Sequence, residues 1–150
     1  MTVTMQIEQF MDSKEEIMPL LELHYDELTL HKHIAKLDVN WDYYQRLQNK
    51  GKLFYLAVRD EGRLIGYSLF SVGYSPHYKE LKAATNDVLF LHKLYRRGGV
   101  GIKMIKRSET ELKAIGVQKI LWHAKQNNSL SDLLSALGYG VEDILMSKVM

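Results

Sequence analysis

Three glycines fall within four residues where an apolar segment meets an amphipathic one, and this junction constrains the fold most. Residues 86–92 (NDVLFLH) are typical of a strand, residues 96–101 (RRGGVG) of a tight turn, and the residues up to Gly116 of a helix. Residues 117–124 follow as a further strand. Because a helix joins them, the two strands are predicted to run parallel in one sheet.

The rest of the chain predicts more strands and helices for the same sheet. Residues 53–59 and 63–74 form the plainest hairpin, around the turn DEG at 60–62. Three helices are also predicted: one that starts from Asp12 and Ser13, one across 41–51 and one across 127–138. A strand at 3–7 and one or two closing strands within 139–150 complete the prediction. Pro19 either bends the first helix or marks its beginning. The predicted order is β-α-α-β-β-β-α-β-α-β.

Composition limits the class of protein. The 150 residues suit one domain, 1–150, and a hydrophobic fraction of 46% with only 2 prolines argues against disorder. With 0 cysteines there is neither a disulfide framework nor a thiolate nucleophile. No segment reaches the roughly 18 apolar residues that span a bilayer, and the N-terminus lacks the pattern of a signal peptide. We therefore expect a cytoplasmic protein of α+β (mixed α/β) class, with a mixed sheet and helices on its faces.

The glycine turn is suited to a phosphorylated ligand. A strand that turns directly into a helix exposes free backbone N–H groups at the positive end of the helix dipole, and glycines allow an anion to approach them. Arg96 and Arg97 add positive charge beside it. The other interpretation is a turn whose glycines only permit close packing. The dinucleotide fingerprint fails at Met104, and the P-loop pattern fails because Ile102 and Lys103 follow Gly101.

A third phosphate motif does match. The run Arg96-Arg97-Gly98-Gly99-Val100-Gly101 resembles the Arg/Gln-x-x-Gly-x-Gly/Ala motif of the GNAT family of N-acetyltransferases. The helix that follows Asn127 and ends in Leu137-Gly138-Tyr139 is similar to the family's second signature. The resemblance covers nearly the whole chain, and it is most specific between residues 86 and 139. It implies a GNAT-like single domain with a mostly antiparallel sheet and a splayed parallel strand pair.

The resemblance also implies a donor and its site. The donor would be acetyl-coenzyme A (acetyl-CoA) or another acyl-CoA, with its pyrophosphate on the glycine turn and its pantetheine beside the strand that precedes the turn. The amide of Leu91 would face the thioester carbonyl. The residues implied in cofactor binding are Leu89, Phe90, Leu91, Arg96, Arg97, Gly98, Gly99, Val100, Gly101, Ile102 and Asn127. Among them, the pyrophosphate would lie on the amides of residues 97–99, 101 and 102.

Acyl transfer to an amine requires a proton acceptor. Asp87 is the first candidate base, because strand alternation predicts that it shares a face with Leu89 and Leu91. His123, on the neighbouring predicted strand, is the second, since imidazole titrates in the useful range. Each residue has a purely structural alternative: a strand-end cap or an arginine partner for Asp87, and a backbone-bonded core position for His123.

The proton donor to the leaving thiolate is where the sequence departs from the GNAT family. The family's usual tyrosine position holds Leu134. Tyr139 is the candidate substitute, although it stands where the family has a packing Phe, and water is the other source. His31 and His33 have no third ligand at a recognisable spacing, so no metal is predicted.

The histidines and aromatic residues of the first two helices, with residues 74–80, are expected to line the acceptor cleft. The sequence therefore predicts an acetyl-CoA-dependent N-acetyltransferase acting on a primary amine, small molecule or protein, by direct attack in a ternary complex. The alternative is a catalytically idle GNAT-fold module that binds CoA or a protein. A nucleic-acid site on the basic residues of the turn and helix is disfavoured by the near-neutral formal charge of +2. A homodimer paired through the C-terminal strands is also compatible with this fold.

Overall fold

The computed structural model of the chain describes residues 2–126 and 128–150. These residues form five strands and four α-helices: β1 (Val3–Ile7), α1 (Lys14–Leu28), α2 (Trp41–Asn49), β2 (Leu53–Asp60), β3 (Arg63–Tyr74), β4 (Lys82–Leu91), α3 (Val100–Ala114), β5 (Lys119–Leu121) and α4 (Ser129–Ala136). Short 3₁₀ turns precede α1 and follow β4. No helix in the described ranges has the length and hydropathy to cross a membrane.

The strands form one sheet in chain order, β1-β2-β3-β4-β5. The pairs β1–β2, β2–β3 and β3–β4 are antiparallel, and the pair β4–β5 is parallel. Short connections join β2 to β3 and β3 to β4, whereas β1 reaches β2 through α1 and α2. The crossover through α3 explains the parallel pair. The predicted α+β class with a mixed sheet is therefore confirmed.

Helices cover both faces of the sheet. On one face, α1 contributes the buried Ile17 and Leu20 to a core that includes Tyr67 and Phe90. On the other face, α3 contributes Met104 and Leu112 to two further clusters under β2, β3 and β4. Burial of these side chains on either side of the sheet is the main stabilising contribution to the fold.

A β-bulge interrupts β4 and changes which side chains face which helix. Leu69 of β3 pairs with Val88 and Phe70 pairs with Asn86, so Asp87 has no partner across the strand. Such a bulge inserts one residue and shifts the alternation of the side chains beyond it. The buried amide of Asn86 supports the bulge, because its Nδ2 donates to the carbonyl of Val88 at 3.1 Å and to that of Leu69 at 3.3 Å.

Several predicted bounds were wrong. The chain after Tyr139 forms no strand within the described residues, and β5 ends at Leu121 rather than at 124. The α1 helix starts at Lys14, directly after a 3₁₀ turn over Phe10–Ser13, and it continues through Pro19. The β4 strand begins four residues earlier than predicted, at Lys82. On α3, Ile102 is exposed, and Met104 is buried in the core.

Candidate active site

The glycine turn has the backbone conformation that an anion site requires. Gly98 and Gly99 have φ angles of 87° and 80°, and α3 starts directly after them at Val100. The N–H of Lys103 donates to the carbonyl of Gly99 at 3.1 Å and is the first to find a helical acceptor. The amides of the preceding residues in the first turn therefore point free along the helix axis. A Cβ added to Gly98, Gly99 or Gly101 would meet no atom within 4 Å, so the surface above the turn is open.

A gap opens between β4 and β5 just before this turn. The two strands pair only at residues 83–85 and 119–121, while β4 continues to Leu91. The N–H of His92 donates to Ile65 of β3 at 2.8 Å, so alternation turns the polar groups of Leu91 and Leu89 away from β3. Among the described residues no strand covers this stretch of β4. The backbone of Leu89 and Leu91 thus faces the gap, as the resemblance implied.

Phe90, unlike Leu89 and Leu91, does not face the gap between β4 and β5. Its backbone pairs with Tyr67 of β3, and its buried ring belongs to the core under α1. The imidazole of His24, on α1, packs edge-on against this ring at a centroid distance of 5.8 Å. The prediction that Phe90 lines the donor site was therefore wrong for its side chain, because alternation directs it to the α1 face of the sheet.

Arg96 is held by the protein itself. Its Nη2 contacts both carboxylate oxygens of Glu27 at 2.8 and 2.9 Å, and its Nε donates to the carbonyl of Leu91 at 2.7 Å. Its guanidinium also lies 5.7 Å from the centroid of the Phe90 ring. Arg96 therefore ties α1 to the end of β4, whereas the sequence predicted that it adds positive charge beside the turn. Arg97 is exposed next to the glycines, in the position expected for that charge.

Asp87 is exposed on the side of the sheet that carries α1 and α2. The hydroxyl of Tyr44, on α2, donates to Asp87 Oδ2 at 2.6 Å. The predicted face was wrong, because the bulge places Asp87 on the side of Val88 while Leu89 and Leu91 pack towards α3. Burial, and then the bond to Asp87, raises the pKa of Tyr44 above its usual value, so the phenol keeps its proton for the carboxylate.

The aromatic residues behind Tyr44 fix its position. Its ring packs edge-on against Phe10 at 5.1 Å and against Tyr43 at 5.4 Å. Tyr67 lies fully buried in the same core, and its hydroxyl has no partner among the described residues. Burial raises the pKa of Tyr67 well above its usual value, so it stays neutral. Asp87 thus stands at the edge of a rigid aromatic layer with an open side towards solvent.

The other predicted catalytic residues lie apart from Asp87. His123 is exposed in the segment after β5, because the strand that was expected to hold it ends at Leu121. The hydroxyl of Tyr139 donates to Glu109 of α3 at 2.8 Å, and its ring packs edge-on against Trp122. Burial raises the pKa of Tyr139 to about 12. Asn127 lies outside the described residues, and Asn128 caps α4 by accepting from the N–H of Leu130 at 2.9 Å.

Comparison with known families decides the class of the protein. The model of the acetyltransferase (GNAT) family matches residues 16–139, which include the bulge, the gap and the glycine turn. The chain belongs to the GNAT family. No curated protein sequence matches it significantly.

Solved GNAT structures share its fold. A ribosomal-protein-alanine N-acetyltransferase from Brucella melitensis biovar Abortus 2308 superposes with a TM-score of 0.70 and 17% identity, covering 99% of both chains. Glucosamine-6-phosphate N-acetyltransferase from Arabidopsis thaliana gives 0.72 and 16%, again over 99% of both chains. A predicted acetyltransferase with acetyl-CoA from Clostridium acetobutylicum gives 0.76 and 12%, over 99% of this chain and 96% of the other. At these identities the likeness establishes the fold.

The observed geometry fits the donor that the GNAT family uses. The open surface above the glycines matches a pyrophosphate, and the uncovered edge of β4 offers N–H and C=O groups to a pantetheine chain. Leu134, which the resemblance puts at the family's tyrosine position, is buried and has no ionisable group.

His24 is the site residue whose importance the sequence understated. It continues the apolar stripe of Ile17 and Leu20 on α1, and this pattern suggested only a residue of the cleft wall. Burial lowers the pKa of His24, against the opposing effect of Glu27, so the imidazole is neutral at pH 7. The rings of His24 and Phe90 are in contact, and the Arg96 guanidinium also lies against Phe90, so His24 and Arg96 pack on the same aromatic ring.

Proposed function

We propose that the protein is an acetyl-CoA-dependent N-acetyltransferase that acts on a primary amine within a ternary complex. The observation that carries this proposal is the placement of Asp87 at the bulge of β4, four residues before Leu91, whose backbone faces the gap. A proton acceptor and an N–H donor are thereby held on one strand beside the glycine turn. Family membership supports acetyl transfer in general, and these residues support the finer mechanism.

The donor side works through the backbone. The free amides of the glycine turn, near Gly98 and Gly99, would bind the pyrophosphate, with Arg97 beside it. The N–H of Leu91 would donate to the thioester carbonyl oxygen, an effect worth on the order of 10²–10³ in rate at comparable sites. Bound acetyl-CoA supplies an acetyl group activated as a thioester. All of these backbone donors are fixed by β4 and α3, so no reorganisation is needed when they act.

The acceptor side works through side chains. An amine of pKa about 10.4 is protonated at neutral pH and must lose its proton before it can attack. Asp87 would accept that proton, directly or through water, while the phenol of Tyr44 holds the carboxylate in place. The neutral amine then attacks the thioester carbonyl carbon, and the C–S bond breaks as the new C–N bond is completed. The nitrogen releases its second proton to water, and the leaving thiolate takes a proton from water. His24, a neutral imidazole, is a second acceptor on the same side.

Tyr139 suits packing better than proton donation. Its hydroxyl is committed to Glu109 and has a pKa of about 12, well above that of a thiol near 8.5. Proton transfer from such a phenol to the thiolate is unfavourable. We therefore assign protonation of the thiolate to water that enters through the open gap.

The direct test is calorimetric titration with acetyl-CoA, followed by thiol release across a panel of amines and peptides. Binding together with amine-dependent release of CoA supports the proposal. Binding without turnover for any amine would indicate the idle module, which the buried Leu134 favours. Absence of binding would exclude the enzyme and an idle module that binds CoA.

A further inference from the structure

Tyr95 is a buried residue within an exposed segment. It ends a short 3₁₀ turn, Lys93–Tyr95, which separates β4 from the glycine turn. The side chain of Tyr95 is 7% exposed, whereas its neighbours at 93, 94 and 96–98 are all exposed. Burial of this one side chain therefore anchors the segment to the domain.

The ring of Tyr95 belongs to a cluster that joins the two sides of the glycine turn. Leu91, the last residue of β4, is buried in this cluster, and so is Met104 of α3. Val100, the first residue of α3, packs against the same cluster. The strand before the turn and the helix after it are thus connected through the cluster that contains Tyr95.

The hydroxyl of Tyr95 bonds to the end of β2, which is distant in the sequence. It donates to Asp60 Oδ2 at 2.6 Å, and Asp60 is the last residue of β2. The other carboxylate oxygen, Oδ1, accepts from the N–H of Thr2 at 3.1 Å. Both oxygens of Asp60 are therefore engaged. A hydrogen bond to a carboxylate is roughly twice as strong as one between neutral groups.

The glycine turn cannot be held in place by side chains of its own. Gly98 and Gly99 have none, and the space above them is open. Apolar packing of the Tyr95 ring favours burial in any direction, whereas the bond from its hydroxyl has a defined length and angle. The bond to Asp60 therefore fixes the place at which the chain leaves the core and enters the glycine turn.

We propose that Tyr95 is a positioning residue for the donor. Through its bond to Asp60 it holds the glycine turn where the free amides can reach the pyrophosphate. It thereby favours thioesters of CoA over thioesters of pantetheine, which carry no pyrophosphate. The inference rests on the proposed function, and it adds to the donor site a pair of side chains that lies outside the glycine motif.

Tyr95→Phe tests this role, because it removes the hydroxyl and leaves the ring in the core. Calorimetry measures the affinity for acetyl-CoA, and an NMR titration measures the weaker affinity for S-acetylpantetheine. The affinity for acetyl-CoA is expected to fall by about 5- to 10-fold, which is part of the worth of a hydrogen bond to a charged group. The affinity for S-acetylpantetheine is expected to stay the same. The matched control is Tyr55→Phe, which changes a buried tyrosine on the α1 face of the sheet and should leave both affinities unchanged.

The outcomes distinguish this inference from the proposed function. If the unmodified chain does not bind acetyl-CoA, the proposed donor is wrong and the inference falls with it. If the unmodified chain and Tyr95→Phe bind acetyl-CoA equally well, only the role of Tyr95 is wrong. An equal loss of affinity for both thioesters would mean that Tyr95 supports the domain as a whole and does not position the turn.

A double-mutant cycle tests the pair itself. Asp60→Ala is expected to lower the affinity for acetyl-CoA by about the same factor as Tyr95→Phe. The variant with both changes should lose no more than either one, because the two changes remove the same bond. Asp60→Asn keeps a polar group for the hydroxyl and should retain most of the affinity. Additive losses would show that Tyr95 and Asp60 act separately, which overturns the proposal.

Discussion

The two halves of the candidate site are built in opposite ways. The donor half lies in one continuous stretch, from Leu89 through Gly99 to the first turn of α3, and it presents mainly backbone groups. The acceptor half is assembled from side chains far apart in sequence. Tyr44 and Asp87 are 43 residues apart, and Glu27 and Arg96 are 69 residues apart. A local motif specifies the first half, whereas the second exists only when α1 and α2 pack on the sheet.

This difference predicts that substitutions in the two halves act on different steps. Changes in the donor half alter a rigid backbone surface, so they should act on binding of acetyl-CoA. Changes in the acceptor half alter proton transfer and orientation, so they should act on turnover with donor binding intact.

The largest effect is expected from Gly99→Glu. A side chain at φ 80° costs roughly 1–2 kcal/mol in backbone strain, and the new carboxylate would repel the pyrophosphate. The affinity for acetyl-CoA should fall by at least about 100-fold, which corresponds to about 2.7 kcal/mol. Calorimetry measures it, with Gly73→Ala as the control, because a Cβ at Gly73 would meet no atom within 4 Å. Equal affinity for acetyl-CoA in both variants would show that the glycine turn does not bind the donor.

Asp87→Asn is expected to lower kcat by about 10²–10³-fold, within the range for a general base. Affinity for acetyl-CoA should stay unchanged, and so should stability, since Asp87 is exposed and unpaired across the sheet. Steady-state kinetics with a reactive amine checks this, beside His123→Ala. If the histidine variant alone loses turnover, the base lies after β5, and if neither does, water and positioning carry the proton transfer.

Tyr44→Phe should have a smaller effect, about 5- to 10-fold on kcat, since a hydrogen bond is typically worth about 1 kcal/mol. The removed bond holds the carboxylate in place, so kcat should fall while the affinity for acetyl-CoA stays unchanged. Tyr43→Phe, on the neighbouring and more exposed ring, is the matched control. An equal loss of kcat in both variants would mean that the Tyr44 hydroxyl does not position Asp87.

The smallest effect concerns stability. Since burial lowers the pKa of His24 below its usual 6.5, the folded state binds fewer protons than the unfolded state near that pH. Stability from the neutral imidazole is therefore present above pH 6.5 and decreases as the pH falls through that value. Urea unfolding of His24→Gln should show a weaker loss on acidification than the unmodified chain. His33→Gln, which changes an exposed histidine, should behave like the unmodified chain. If the unmodified chain and both variants lose the same stability on acidification, the pH dependence does not come from His24.

The sequence predicted what depends on neighbouring residues. The hairpin, the glycine turn and the α3 helix follow from alternation, turn residues and a helical stripe, and all three are present. The face of Asp87 was predicted wrongly. The bulge that sets this face arises from the pairing of β4 with Leu69 and Phe70 of β3, which are distant from Asp87 in the sequence. The contacts between Glu27 and Arg96 and between Tyr44 and Asp87 form only when α1 and α2 pack on the sheet, and no local sequence pattern predicts this packing.

The C-terminal tail, residues 140–150, shows the same limit. Its weak alternation predicted closing strands, and this prediction was wrong, because a strand also needs a neighbour with free polar groups in register. The structure of one chain gives the tail an ion pair at Lys119 and no ladder. Sequence alternation states what a segment can become, and the available edge determines whether it does.

The bulge at Asp87 has a consequence for how such a protein can change. Paired residues of a sheet are constrained by the side chain across from them, but Asp87 faces no residue of β3. Substitution there leaves cross-strand packing intact, while Asn86 keeps the backbone in place. Position 87 can therefore accept different side chains at little cost in stability, so the chemistry at this one strand position can vary while the backbone around it stays the same.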